Sequence, residues 1–246
     1  MVKSTIQTIV RSCGYQFVKL PGTQPYESIL PVATHAPWNS DLDFLDVYRV
    51  IQTTHTLVDI YRCWELWTLA METAKVEGGI LEVGVWRGGT GALMAKRSML
   101  SGNTEPVFLC DTFTGVVKAG VEDAVYRGGE HANTSRGVVE ALLARLGINN
   151  THILQGIFPE DTASQIDPSI RFRLCHIDVD VYQSAKDIMD WVWDRIPPGG
   201  AVVYDDYGFQ FCDGIRKVVD EQRSKKDRLV LHNLNGHAIV IKLGAR

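Results

Sequence analysis

The sequence predicts an α/β domain built on a mostly parallel, seven-stranded sheet with an antiparallel edge at the C-terminus. Two observations carry that reading. From residue 80 onward, short apolar strand-like runs alternate with segments of helical period. Strands separated in this way by helices form a parallel sheet covered on both faces. The last two strand-like runs instead flank an Asn-Leu-Asn-Gly turn, the mark of a closing hairpin.

Residues 1–45 are broken by Pro21, Pro25, Pro31 and Pro37 and read as an irregular arm packed over the domain, not a second domain. Between 61 and 76, Cys63, Trp64, Trp67, Ala70, Met71 and Ala74 recur at helical spacing. Residues 80–85 are a first strand and 90–100 a helix; 106–110 (PVFLC) are a second strand. A helix over 136–146 gathers Val139, Leu142, Leu143 and Leu146 on one face. Strands follow at 151–155 and 172–177, then a helix over 182–196 that stops at Pro197-Pro198-Gly199-Gly200. A strand at 201–204, a helix at 212–222 and the hairpin strands 228–234 and 237–243 complete one domain spanning 1–246.

The formal charge is −4, from 25 basic and 29 acidic residues, which leaves no basic footprint for nucleic acid. A 45% share of hydrophobic residues is enough to build a core. The five cysteines are widely spaced and never in CxxC, which fits a reducing cytoplasm better than a disulfide scaffold or zinc ribbon. No apolar run has the length of a secretory core or a membrane span, so a membrane partner is not expected. Self-association as a homo-oligomer stays open.

In parallel sheets, ligands bind beyond the carboxyl ends of the strands. After the first strand, Gly84, Gly88, Gly89 and Gly91 permit a tight turn into a helix whose free N–H groups favour an anionic group. A dinucleotide fingerprint would need glycines at 84, 86 and 89, but Trp86 and Arg87 would obstruct a pyrophosphate, which disfavours a dehydrogenase. Glu82 could accept from an ammonium group. Asp111, after the second strand, has two oxygens to grip ribose hydroxyls, unless it is only a helix cap. Together they describe a nucleoside carrying an amino-acid tail, the shape of S-adenosylmethionine (SAM); a turn without ligand is the alternative.

A second constellation comes from Asp178 and Asp180 after one strand and Asp205 and Asp206 after the next. Neighbouring strands lie about 4.8 Å apart, so these carboxylates converge if the two strands are adjacent. All-oxygen ligation favours Mg2+ or a similar hard cation. Capping of the following helices is the competing use.

The ordered set EVGVWRGGTG, CDTF, HIDVDVYQSAKD and PPGGAVVYDDYG resembles the macrocin O-methyltransferase (TylF-type) family. The resemblance implies a Rossmann-like SAM-methyltransferase fold and Mg2+-dependent methylation of a hydroxyl on a sugar or related natural-product moiety. By resemblance, Glu82, Gly84, Val85, Trp86, Gly88, Asp111 and Thr112 line the cofactor site, Thr56 closes over its methionine end, and Gly156 and Phe158 fall at the adenine pocket. Asp178, Asp205 and Asp206 would hold the metal. The segment 113–130 departs most from the family pattern, which bears on the identity of the acceptor.

Two residues are candidates for the base that takes the hydroxyl proton: Asp178 at the metal edge, and His131 in the long connection 115–135, read as a lid. His131 as an ordinary surface histidine is the alternative. His176, inside an apolar strand, reads as a packed core residue. A catechol-type phenol O-methyltransferase and a non-catalytic SAM-fold binding subunit are the competing functions.

Overall fold

The computed structural model describes residues 10–15, 25–26, 29 and 33–244. Residues 1–34 form one unit and 35–246 another, and the architecture below is that of the second. Most of the arm expected over 1–45 falls outside the described residues.

The second unit begins with a helix that the sequence pattern did not yield, α1 (Leu42–Ile51). Asp41 caps it by accepting from Phe44 N at 2.9 Å. Phe44, Val47 and Ile51 form its buried stripe, and Asp43 and Asp46 beside it face outward. Prolines just upstream and two acids within ten residues hide that period. α2 (Ile60–Glu72) is capped by Asp59, which accepts from Tyr61 N and Arg62 N. It is shorter than the 61–76 expected, because a 3-10 turn over Thr73–Lys75 ends it.

The sheet comprises β1 (Gly79–Val83), β2 (Val107–Asp111), β3 (Thr151–Gln155), β4 (Phe172–Ile177), β5 (Ala201–Tyr204), β6 (Arg228–His232) and β7 (Ala238–Lys242), in the order β3-β2-β1-β4-β5-β7-β6. All pairings from β3 to β5 are parallel, and β7 is antiparallel to both β5 and β6. The expected seven-stranded sheet with an antiparallel C-terminal edge is therefore present. Four further helices connect the strands: α3 (Gly89–Leu100), α4 (Arg136–Arg145), α5 (Tyr182–Val192) and α6 (Asp213–Gln222). The helix read over 182–196 gives way to a 3-10 turn at Trp193–Arg195.

Side chains alternate between the two sheet faces, and each face has its own core. Ile80, Leu109, Leu174 and Val203 pack with α1–α4 on one side; Leu81, Cys110, Cys175 and Val202 pack with α5 and α6 on the other. β1, β4 and β5 are buried along their whole length, which explains why they read as mainly apolar runs interrupted only by Glu82, Arg173 and His176. Among the described residues, no helix is long and apolar enough to cross a membrane.

α1 joins this core through Phe44, fully buried, with its ring edge-to-face against Trp64 at 5.1 Å and Trp67 at 5.7 Å. Phe44→Ala should cost about 3–5 kcal/mol. The urea-unfolding midpoint should fall with an unchanged m-value; an unshifted midpoint would show that α1 is not part of the cooperative core.

Candidate active site

The strand order reverses between β1 and β4, and a cleft of about 360 Å³ opens there over the strand tips. The chain leaves β1 at Gly84 with φ +89°, so close to β4 that a Cβ would stand 1.7 Å from the Asp178 carbonyl oxygen. Asp178 N donates to Val83 O at 3.0 Å, so the two strand tips meet backbone to backbone. No residue with a side chain fits at 84 without separating them.

Asp111, at the end of β2, organises the loop. Its Oδ2 accepts from Val85 N and Trp86 N, both at 2.7 Å, and its Oδ1 from Phe113 N at 2.6 Å. Burial raises its pKa while those three amides pull it down. The carboxylate that sequence reasoning gave to a ribose thus also clamps the loop that would carry the rest of that ligand. Thr56, Gly84, Val85, Trp86, Asp111, Thr112, Gly156 and Phe158 all line the cleft. Glu82 and Gly88 do not. Gly88 opens α3 in the left-handed region, at φ +87°. Glu82 is fully buried beneath the loop, and Gly91 leaves room for it, since a Cβ there would lie 2.3 Å from Glu82 Oε2.

The acids gather as their strands require. β4 and β5 are adjacent, with Ile177 opposite Tyr204. Asp178, Asp205 and Asp206 each offer an oxygen within 4.8 Å of the others. Burial pushes the Asp178 carboxyl well above the usual range, and Asp205 pushes it further. Burial, then Asp180 and Asp178, do the same for Asp206, whose Oδ2 is buried without a partner. Asp205 goes the other way: Arg62 against its Oδ2 and two histidines at its Oδ1 outweigh burial and hold its pKa well below the ordinary value. Such a set, crowded, all-oxygen and with one oxygen unused, fits a hard divalent cation.

His176 is a core residue by location, fully buried, but not by role. Burial alone would lower its pKa; Asp205 and Glu82, at its two ring nitrogens, lift it to about 10. The pattern-based reading also missed Arg62, Tyr126, Phe209 and Phe211, all of which line the cleft. Arg62 lies under the Phe209 ring, 4.7 Å from its centroid. Burial and the neighbouring Asp180 carboxylate raise the Tyr126 phenol pKa. The only available signal was that Phe209 and Phe211 directly follow the VYDDYG motif.

His131 reaches the cleft from the segment 115–135, which has no helix or strand. The segment is nonetheless tied down. Asp123 is buried, its Oδ1 accepting from Tyr182 N at the start of α5 and its Oδ2 from Gly120 N, both at 2.9 Å. Ser184 Oγ donates to Val117 O at 2.9 Å, and at the far end Trp86 Nε1 donates to Asn133 Oδ1 at 2.9 Å.

Residues 51–235 match the family model described as Macrocin-O-methyltransferase (TylF). A tetracenomycin 4'-O-methyltransferase of Streptomyces olivaceus, acting on a dimethoxy-rhamnosyl derivative, is 29% identical over 184 residues, 70% of this chain and 68% of that protein. The mycinamicin III 3''-O-methyltransferase of Micromonospora griseorubida is 27% identical over 70% of this chain and 71% of its own length. Among solved structures, the O-methyltransferase NovP superposes with a TM-score of 0.68 at 22% identity, covering 77% of this chain and 83% of that one. The calicheamicin methyltransferase CalS11 gives 0.64 at 15% identity over 87% and 95%. The two superpositions bear on the fold.

Asp111→Ala removes both the loop clamp and the acid expected at the ribose. S-adenosylhomocysteine (SAH) affinity measured by calorimetry should fall by about 1–3 kcal/mol. Unchanged affinity would take Asp111 out of the site.

Proposed function

The chain belongs to the macrocin-O-methyltransferase (TylF) family, and we propose that it methylates a hydroxyl on a sugar or related natural-product moiety with the help of Mg2+. As a member of that family it is a SAM-dependent O-methyltransferase. The observation that carries the finer reading is the division of one cleft into two ends. A clamped glycine loop with Asp111 forms one; Asp178, Asp205 and Asp206 form the other. The rhamnosyl acceptor named for one curated relative and the natural product named for another support the acceptor class.

When bound, SAM supplies the methyl group and Mg2+ a charge that lowers the pKa of the acceptor hydroxyl. The glycine loop and Thr56 would hold the amino-acid end of SAM, and Gly156 with Phe158 its adenine. Asp178, Asp205 and Asp206 would hold the cation. Asp178 lies where the two ends meet, its backbone against Gly84 and its carboxylate among the acids. With the cation in place its carboxylate would be ionised, and it would take the hydroxyl proton as methyl transfer proceeds. His131 is the second candidate for that proton, carried on a segment that would close over the acceptor. Aligning nucleophile and methyl carbon supplies much of the rate in such a displacement. The cysteines are all free thiols, in keeping with a cytoplasmic setting.

Two experiments test this reading. With an acceptor found by mass-spectrometric screening of glycosylated compounds, Asp178→Asn should lower turnover by about 100-fold or more, with SAH binding largely kept. Chelation should abolish activity and Mg2+ restore it; a fully active enzyme after exhaustive chelation would defeat the metal reading.

The second needs no acceptor. The folded-state pKa values of Asp178 and Asp206 are raised above the unfolded value of about 3.9. The stability gained from holding those protons is complete below the unfolded pKa and is lost as pH rises through the folded values. A cation competes with the same protons, so Mg2+ should raise the melting temperature more at about pH 8 than at about pH 5. An equal shift at both would mean that the ion binds elsewhere.

A further inference from the structure

Behind the acidic end of the cleft lies a row of side chains that the chemistry above does not use. His237, just before β7, is fully buried. Its Nδ1 faces Glu65 Oε2 at 2.6 Å and its Nε2 faces Asp205 Oδ1 at 2.8 Å. Glu65, on α2, accepts from Asn233 Nδ2 with its other oxygen. From the opposite side, His176 Nε2 stands 3.4 Å from the same Asp205 Oδ1, and its Nδ1 is 2.9 Å from Glu82 Oε1. Glu65, His237, His176 and Glu82 do not line the cleft, whereas Asp205 does.

An ionised carboxylate has about four acceptor sites. In Asp205, the two histidines occupy Oδ1 and Arg62 occupies one site on Oδ2. The open site is on Oδ2, the oxygen shared with a cleft-lining arginine. The histidines therefore fix which oxygen turns inward and which stays available. A carboxylate at each ring nitrogen in turn fixes the His237 ring at both ends. Stability alone is a poor account of such a row, because a buried ionic set is often matched by well-packed apolar residues.

We infer that Glu65 and His237 are positioning residues that set the Asp205 carboxylate for a divalent cation. The inference rests on the metal reading above. Carboxylate–histidine pairs behind a ligand commonly govern its orientation, and losing one typically costs 10–100-fold in metal affinity.

The test uses Mn2+ as an EPR-visible stand-in for Mg2+, titrated into the full chain saturated with SAH. Glu65→Ala should weaken Mn2+ binding by about 10-fold or more while SAH affinity is retained. Glu65→Gln, whose amide can still meet the His237 ring, should restore most of the loss, which a general loosening of the fold would not explain. Mn2+ affinity in folded Glu65→Ala equal to wild type overturns the inference and leaves the metal reading standing. Absence of Mn2+ binding by the wild-type chain overturns both. If Glu65→Ala is recovered unfolded, His237→Asn, whose amide can keep the Glu65 contact but is too short to reach Asp205, replaces it with the same outcomes.

Discussion

One ionised carboxylate, at the tip of β5, has to be neutralised almost out of reach of water, and much of the architecture around the cleft answers that demand. Removing a single partner from a buried ionic set typically costs about 3–5 kcal/mol, so each partner of Asp205 is held in turn. Arg62 reaches it from α2 and is pinned along the way by Asp59, which also caps that helix. His176 arrives along β4 and is backed by Glu82 from β1. His237 arrives because the chain returns as an antiparallel strand beside β5, with Ala238 opposite Tyr204. The antiparallel edge thus delivers a side chain to the site as well as closing the sheet.

That arrangement also explains the unequal behaviour of the three acids. Asp205 is supplied with positive partners from behind, whereas Asp178 and Asp206 have mainly each other and the cleft. One carboxylate is anchored and two are left short of charge.

The parallel strands, the glycine loop and the convergence of acids were legible in the sequence because each is local. A short apolar run ends in a glycine or an aspartate, and sheet geometry does the rest. What stayed hidden is non-local. Glu65 and His237 are 172 positions apart, and nothing in the period of either segment marks them as partners. Glu82 sits inside a recognisable motif yet points away from the cleft, since alternation along β1 sends it to the opposite side from Leu81 and Val83. α1 was obscured because its polar face interrupts a stripe only three residues long.

α5 starts at Tyr182 without a side-chain cap from its own N-cap residue, Val181; a carboxylate some sixty positions earlier, Asp123, accepts the Tyr182 amide instead. α6 makes room for that acid with Gly214, where a Cβ would fall 2.0 Å from Asp123 Oδ1. The segment 115–135 and the scaffold are therefore not separable modules. An exchange of that segment between relatives, by recombination or by grafting, would succeed only if the incoming piece brought a carboxylate to the same spot and found a glycine waiting for it. Asp123 is thus a position in that segment whose side chain is fixed by what α5 and α6 require.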